Sequence, residues 1–128
     1  REVYGGIYPT AILYAQRDFI EKNPAAIEGI VRAELRALRY IHETPAEEIV
    51  ASLPAAYISG DRAVYVKAVE HSKAIFSHTG LFDPNDSATV LKVLQAFNPD
   101  VAAAPIDLSR TYTNEFVTRA SAAVGKKQ

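Results

Sequence analysis

The side chains best suited to chemistry are three histidines, His42, His71 and His78. An imidazole can ligate a metal or carry a proton near neutral pH. His71 and His78 fall on nearly the same side of one predicted helix. Seven residues rise about 10.5 Å along such a helix, too far for both rings to share one ion. No HExxH or comparable spacing occurs. The three therefore read as histidines at the polar boundary of helices. The serines at 52, 59, 72, 77, 87, 109 and 121 lack a GxSxG setting. Gly5-Gly6 belongs to no phosphate-binding loop motif. Asp83 and Asp86 lack EF-hand spacing, and helix capping accounts for both. With no cysteine in the chain, disulfides, thiolate chemistry and cysteine metal sites are excluded. No catalytic residue, metal or cofactor is assigned, and the expectation is a protein that is not an enzyme.

One constellation could touch a ligand. Seven tyrosines are many for 128 residues, and Tyr4, Tyr8 and Tyr14 cluster near the start. Strand alternation would put Tyr8 and Thr10 on one face, with Ile12 and Tyr14. A polar-tipped aromatic beside a threonine suits a small-molecule contact. Tyr8 and Thr10 are the candidate ligand-binding residues.

Composition sets the frame. The chain has the size of one domain, with 48% apolar and 23% charged residues. A formal net charge of −1, with both signs interspersed, argues against an extended basic surface for nucleic acid. No apolar run approaches the roughly 20 residues of a membrane span. The chain holds no Met and opens at Arg1, so we expect a processed chain or a piece of a longer one.

The elements follow from caps and periodicity. Residues 7–15 (IYPTAILYA) are β-branched and aromatic and read as a strand, with Pro9 keeping its early part off a central ladder. The only other strand candidate, 101–106, is short and alanine-rich. A lone strand leaves its backbone groups unpaired, so it should pair with absent residues or with another copy of the chain. Residues 16–22 look like one or two helical turns. Asn23 as N-cap and Pro24 at the first position start the longest helix, which runs to Glu43. Ile27, Ile30, Val31, Leu35, Leu38 and Ile41 share one arc of it, and Glu28, Arg32, Arg36, Arg39 and Glu43 the opposite arc. Glu34 interrupts the apolar arc and must be paired, neutral or at its edge.

Thr44-Pro45-Ala46-Glu47 reads as a capping box before a short helix closed by Pro54. Asp61 opens a helix to about residue 78, with Val64, Ala68, Ile75, Tyr65, Val69 and Phe76 sharing its apolar side. Gly80 is placed as a residue past a helix end, with Leu81 and Phe82 packing back. Asp83-Pro84 starts a helix to Phe97, with Val90, Leu94 and Phe97 inward. Residues 100–107 read as a loop. Residues 108–123 form a final helical stretch with Tyr112, Phe116 and Val117 inward. Residues 124–128 are a flexible tail. The fold class is mainly α, about five helices, with an N-terminal β-strand.

At this point the wording becomes specific. Residues 8–15 (YPTAILYA) and 17–24 (RDFIEKNP) are followed by 35–43 (LRALRYIHE) and TPAE at 44–47. GLFDP at 80–84, IDLS at 106–109 and YTNEFV at 112–117 come next, in order. This ordered set resembles the C-terminal part of the periplasmic substrate-binding proteins of ABC importers for sulfonates, nitrate, taurine and thiamine-pyrimidine precursors. The resemblance implies a fragment of an α/β fold of the type II periplasmic-binding-protein kind. Residues 1–15 would be the hinge or crossing strand, and 16–123 the helical C-terminal part of the first lobe. Only Tyr8 and Thr10 match a place where that family can touch ligand. Glu34 departs from the apolar residue usual there.

The implied function is capture of a small molecule for an ABC permease, in the periplasm or on a cell-surface lipoprotein. A signal peptide would lie outside these residues. For the fragment, a homodimer through the N-terminal strand is expected. Two alternatives stand beside this: a relative of the thiamine-pyrimidine biosynthesis enzymes, and a self-contained helical interaction module.

Overall fold

A computed structural model describes residues 7–58 and 60–124. Gly5-Gly6, Ser59 and the tail at 125–128 lie outside the described residues. Seven α-helices follow one another there: α1 (Arg17–Lys22), α2 (Pro24–Glu43), α3 (Ala46–Ser52), α4 (Arg62–Ser72), α5 (Pro84–Phe97), α6 (Pro99–Ala103) and α7 (Glu115–Val124). Short 3-10 turns occupy Ala55–Tyr57, Lys73–Ile75 and Leu108–Arg110. None of the helices is long and apolar enough to cross a membrane.

The expected N-terminal strand is not formed, and with it falls the expectation of an α/β fold. Residues 7–15 adopt neither helix nor strand, and no strand occurs among the described residues. The reason is the ladder. A strand exists only where a neighbour accepts and donates its backbone hydrogen bonds, and Pro9 has no N–H to give. The first half of the other candidate, 101–106, is taken by a helix, α6 ending at Ala103: Asn98 caps it by accepting from the N–H groups of Asp100 and Val101. Asn98-Pro99 thus ends α5 and begins α6, where a loop was expected.

Several helix starts follow the caps read from the sequence. The Asp61 carboxylate accepts from Ala63 and Val64 N–H at 2.7 and 3.2 Å, and Asp83 accepts from Asn85 N–H at 2.7 Å. Two other caps differ. Asn23 turns its amide backward, its Nδ2 donating to Phe19 O at 3.0 Å, so it closes α1 instead of capping α2. The Thr44 box does not form: Pro45 is the residue before α3, with no side-chain cap, while Thr44 ends α2 through its N–H to Tyr40 O.

Packing centres on α2 against α7. Ile27 and Val31 of α2 are buried with Phe116 and Ala120 of α7, and Ile20, Leu35 and Val117 pack around them. Burial of such side chains stabilises by roughly 1.5–3 kcal/mol each for the larger ones. Helix α7 covers only part of the apolar arc of α2. Ile30 is 43% exposed, and Glu34, one turn on, is exposed beside it. The carboxylate therefore meets water at the uncovered edge. Glu28 reaches Arg119 of α7 at 3.6 Å and Arg32 at 3.9 Å, while Arg119 also pairs with Glu115 and lies over the Phe116 ring.

A second, smaller packing joins α3 to α4, with Ala46 and Val50 buried. Here the expected inward arc of α4 holds at Tyr65 and Val69 but not at Val64, Ala68 or Ile75. Val64 and Ile75 are 66% and 80% exposed, and the half-buried side carries Tyr65, Val66 and Val69. Helix α4 stops at Ser72, not near 78, and tightens into the Lys73–Ile75 turn. In α5, Phe97 is exposed while Val90, Leu91 and Val93 are half-buried. In both helices the side facing in is set by a neighbour that covers one flank only.

The connector at 76–83 crosses back onto α2 and α7. Gly80 has φ +70°, and a Cβ there would lie 2.8 Å from Leu35 Cδ2. Phe82 N–H donates to Asn114 Oδ1, and Asn114 Nδ2 donates to Phe82 O, both at 2.9 Å. The Asn114 side chain thereby serves as a short stretch of pairing backbone. Phe82 and Tyr112 rings meet at 5.1 Å.

Two stability outcomes follow. Gly80→Ala should lose about 1–2 kcal/mol from backbone strain alone. It should lose more than Gly60→Ala, where φ is +76° but no atom lies within 4 Å of the added Cβ. Ser87 is 5% exposed and its Oγ meets no partner among the described residues. Ser87→Ala should leave the urea midpoint unchanged or raise it, since a buried hydroxyl without a partner costs about 1–3 kcal/mol.

Candidate functional site

The sequence-derived candidates lie in the segment without regular structure. Tyr8 is half-buried and Thr10 exposed. Around them Ile7, Ile12, Leu13, Tyr14 and Phe19 are exposed by 47, 55, 53, 84 and 48%. These apolar side chains are thus largely open to solvent.

The clearest concavity is elsewhere. An open groove of about 560 Å³ runs along the α2–α3 turn and α4, lined by His42, Thr44, Glu47, Lys67, Glu70 and Lys73 among others. A second open depression, about 830 Å³, adjoins it at the start of α4, along Asp61, Arg62 and Val66. Tyr8 and Thr10 line neither. Both concavities are shallow and edged by charges of both signs, which suits surface contact better than enclosure of a small molecule.

Lys73 is the best-anchored charge of the groove. Its side chain is only 16% exposed; Nζ donates to Thr44 O at 2.8 Å and lies 3.1 Å from Glu70 Oε2. Thr44 closes α2, so the ammonium sits at the negative end of that helix, where a cation is favoured. The groove floor is therefore a tie between the end of α2 and the end of α4. Glu70 is 62% exposed, so its share of the ion pair is small.

The histidines occupy three settings. His71 bonds through Nδ1 to Lys67 O at 2.8 Å, one turn back on α4. His42 and His78 stack with ring centroids 3.7 Å apart and planes 19° from parallel. His42 Nε2 is 3.3 Å from Ser77 O; a carbonyl only accepts, so this nitrogen carries the proton. Sequence reasoning placed His71 and His78 on one continuous helix, too far apart to share an ion. The stack across 36 positions escaped it because α4 ends at Ser72, freeing His78 to reach back to α2. The only sequence signal for that break is the Ser77–Gly80 turn. Parallel rings stacked face to face aim their nitrogen lone pairs side by side, a poor geometry for one shared ion.

Chemically, the arrangement offers a stacked imidazole pair, a tethered ammonium and an uncovered apolar segment. Lys73→Met should lower stability by about 1–3 kcal/mol, by leaving Thr44 O without its charged donor, whereas Glu70→Gln should change it by less than about 1 kcal/mol. Urea denaturation of the two variants checks the order.

Comparison with family models, curated proteins and solved structures returns no match to this chain.

Proposed function

We propose that the chain is the C-terminal portion of a solute-binding protein that captures a sulfonate, nitrate, taurine or pyrimidine-precursor ligand for an ABC importer. The observation that carries this reading is the exposure of the apolar stretch from Ile7 to Phe19. A run of open apolar side chains in water marks a surface that meets other protein. The same run, YPTAILYA followed by RDFIEKNP, opens the ordered set that carries the resemblance. In this reading residues 7–15 lie against the ligand-holding remainder of the binding protein. Tyr8 and Thr10 reach the ligand, and the helices of 16–123 buttress them.

The work is capture and release. Ligand binds the closed arrangement better than the open one and shifts the population toward it. No bond is made or broken, and no cofactor takes part. The permease is the partner that receives the ligand, and the setting is the periplasm or the outer cell surface. Residues 1–128 on their own pair as two copies through the uncovered N-terminal segment.

A second reading, a helical interaction module complete in itself, is favoured by one observation. Helices α2 and α7, with Ile20 of α1 against them, bring their own buried centre.

Thermal-shift titration of the whole gene product with taurine, nitrate, an alkanesulfonate and a hydroxymethylpyrimidine separates the two. The binding-protein reading expects one ligand class to raise the midpoint, by about 2.7 kcal/mol of stabilisation at a hundredfold excess over Kd. Tyr8→Ala and Thr10→Val should weaken that effect. No shift with any of the four, alongside full stability of residues 1–128 as a monomer, leaves the interaction module. For residues 1–128 alone, light scattering should report a dimer, and Leu13→Asp with Tyr14→Asp should convert it to a monomer.

A further inference from the structure

We propose that the His42–His78 stack is an acid-sensitive latch that holds the 76–83 connector, and with it the α3–α4 pair, against the end of α2. This does not rest on the solute-binding reading.

The latch is one of three attachments of the connector. In the middle, Gly80 packs against Leu35, Leu38 and Val117. At the far end, Asn114 grips Phe82 on both backbone groups. Both of these are uncharged and independent of pH in the neutral range. The near end is different. It consists of the ring stack at 3.7 Å and the His42 Nε2–H bond to Ser77 O. Only this end can change charge on mild acidification.

One proton on the pair leaves the latch intact. Protonated on Nδ1, His42 keeps its Nε2–H on Ser77 O, and a cationic ring stacks well on a neutral one. A second proton puts two like charges face to face. Five charged groups line the groove with His42: Glu43 on α2, Glu47 on α3, Lys67 and Glu70 on α4, and Lys73 just beyond it. Three acids against two bases leave one net negative charge, too little to balance a doubly charged stack. Two imidazolium rings therefore repel, and acid favours the arrangement in which they part. Closure therefore weakens as pH falls and is restored as pH rises.

The consequence is local. When the latch opens, Lys73, Gly80 and Phe82 stay in place, while Ser77 and His78 come away from α2. Lys73 then carries alone the polar tie between α4 and the end of α2.

Amide exchange of residues 73–82, normalised to intrinsic rates, tests this on the whole chain at pH 7.5 and pH 5.0. We expect protection at 77–79 to fall about tenfold at the lower pH, with residues 27–31 unchanged. His78→Phe keeps a stacked ring without a charge and should remove the pH response. His78→Gln removes ring and charge, and should lower protection already at pH 7.5 and leave it flat. His71→Gln should behave as the parent. A parent and a His78→Phe variant with the same pH profile would overturn the proposal, as would imidazole NMR titrations in which His42 and His78 follow independent single steps.

Discussion

The contact on which the rest depends is the seating of α7 on α2. Ile27 and Val31 have no other deep cover, and Phe116 and Ala120 supply it. Several other parts are attached to this pair from the side. Helix α1 leans on it through Ile20, and the connector at 76–83 is laid across it by Gly80 and by Asn114 just before α7. Helices α3 and α4 form their own small packing around Val50 and are tied to the end of α2 by polar links. Fully buried apolar side chains are few for a chain of this length. The elements are thus held by a narrow core and a set of specific pins.

Those pins are chemically different, which gives the molecule an uneven response to its surroundings. The α2–α7 seam is apolar and insensitive to pH or salt, except for the exposed Glu28–Arg119–Glu115 chain above it. The Asn114–Phe82 exchange is neutral. The tie at the end of α2 is charged at Lys73 and titratable at His42 and His78. Local opening should begin at the last of these, where few apolar contacts back up the hydrogen bonds.

The helices were legible in the sequence where a capping residue and a periodic arc agreed. Asp61, Asp83-Pro84 and the 3.6-residue spacing of Ile27, Val31, Leu35 and Leu38 are local signals, and local geometry obeyed them. The misses have one cause: a partner that local sequence does not name. Residues 7–15 have strand-like composition, but a strand requires a second strand, and the composition of 101–106 did not reveal that Asn98 would cap a helix there. The inward sides of α4 and α5 depended on which neighbour arrived, so Val64, Ile75 and Phe97 were placed inside and stand outside. Glu34 was the informative exception, since a charge in an apolar arc is a direct sign that the arc is not wholly covered. The candidate ligand residues, Tyr8 and Thr10, came from strand alternation and from the resemblance, and the strand that alternation assumed is not formed. The His42–His78 stack needed the three-dimensional structure.

The separation along the chain between α2 and α7 has a further effect, on assembly during synthesis. Helix α2 is made before α7, and the residues that shield Ile27 and Val31 follow some ninety positions later. Until they emerge, the apolar arc of α2 stays open, and closing so long a loop carries an entropic penalty that short-range contacts do not offset. A chain halted before Phe116 would present that arc to whatever lies nearby.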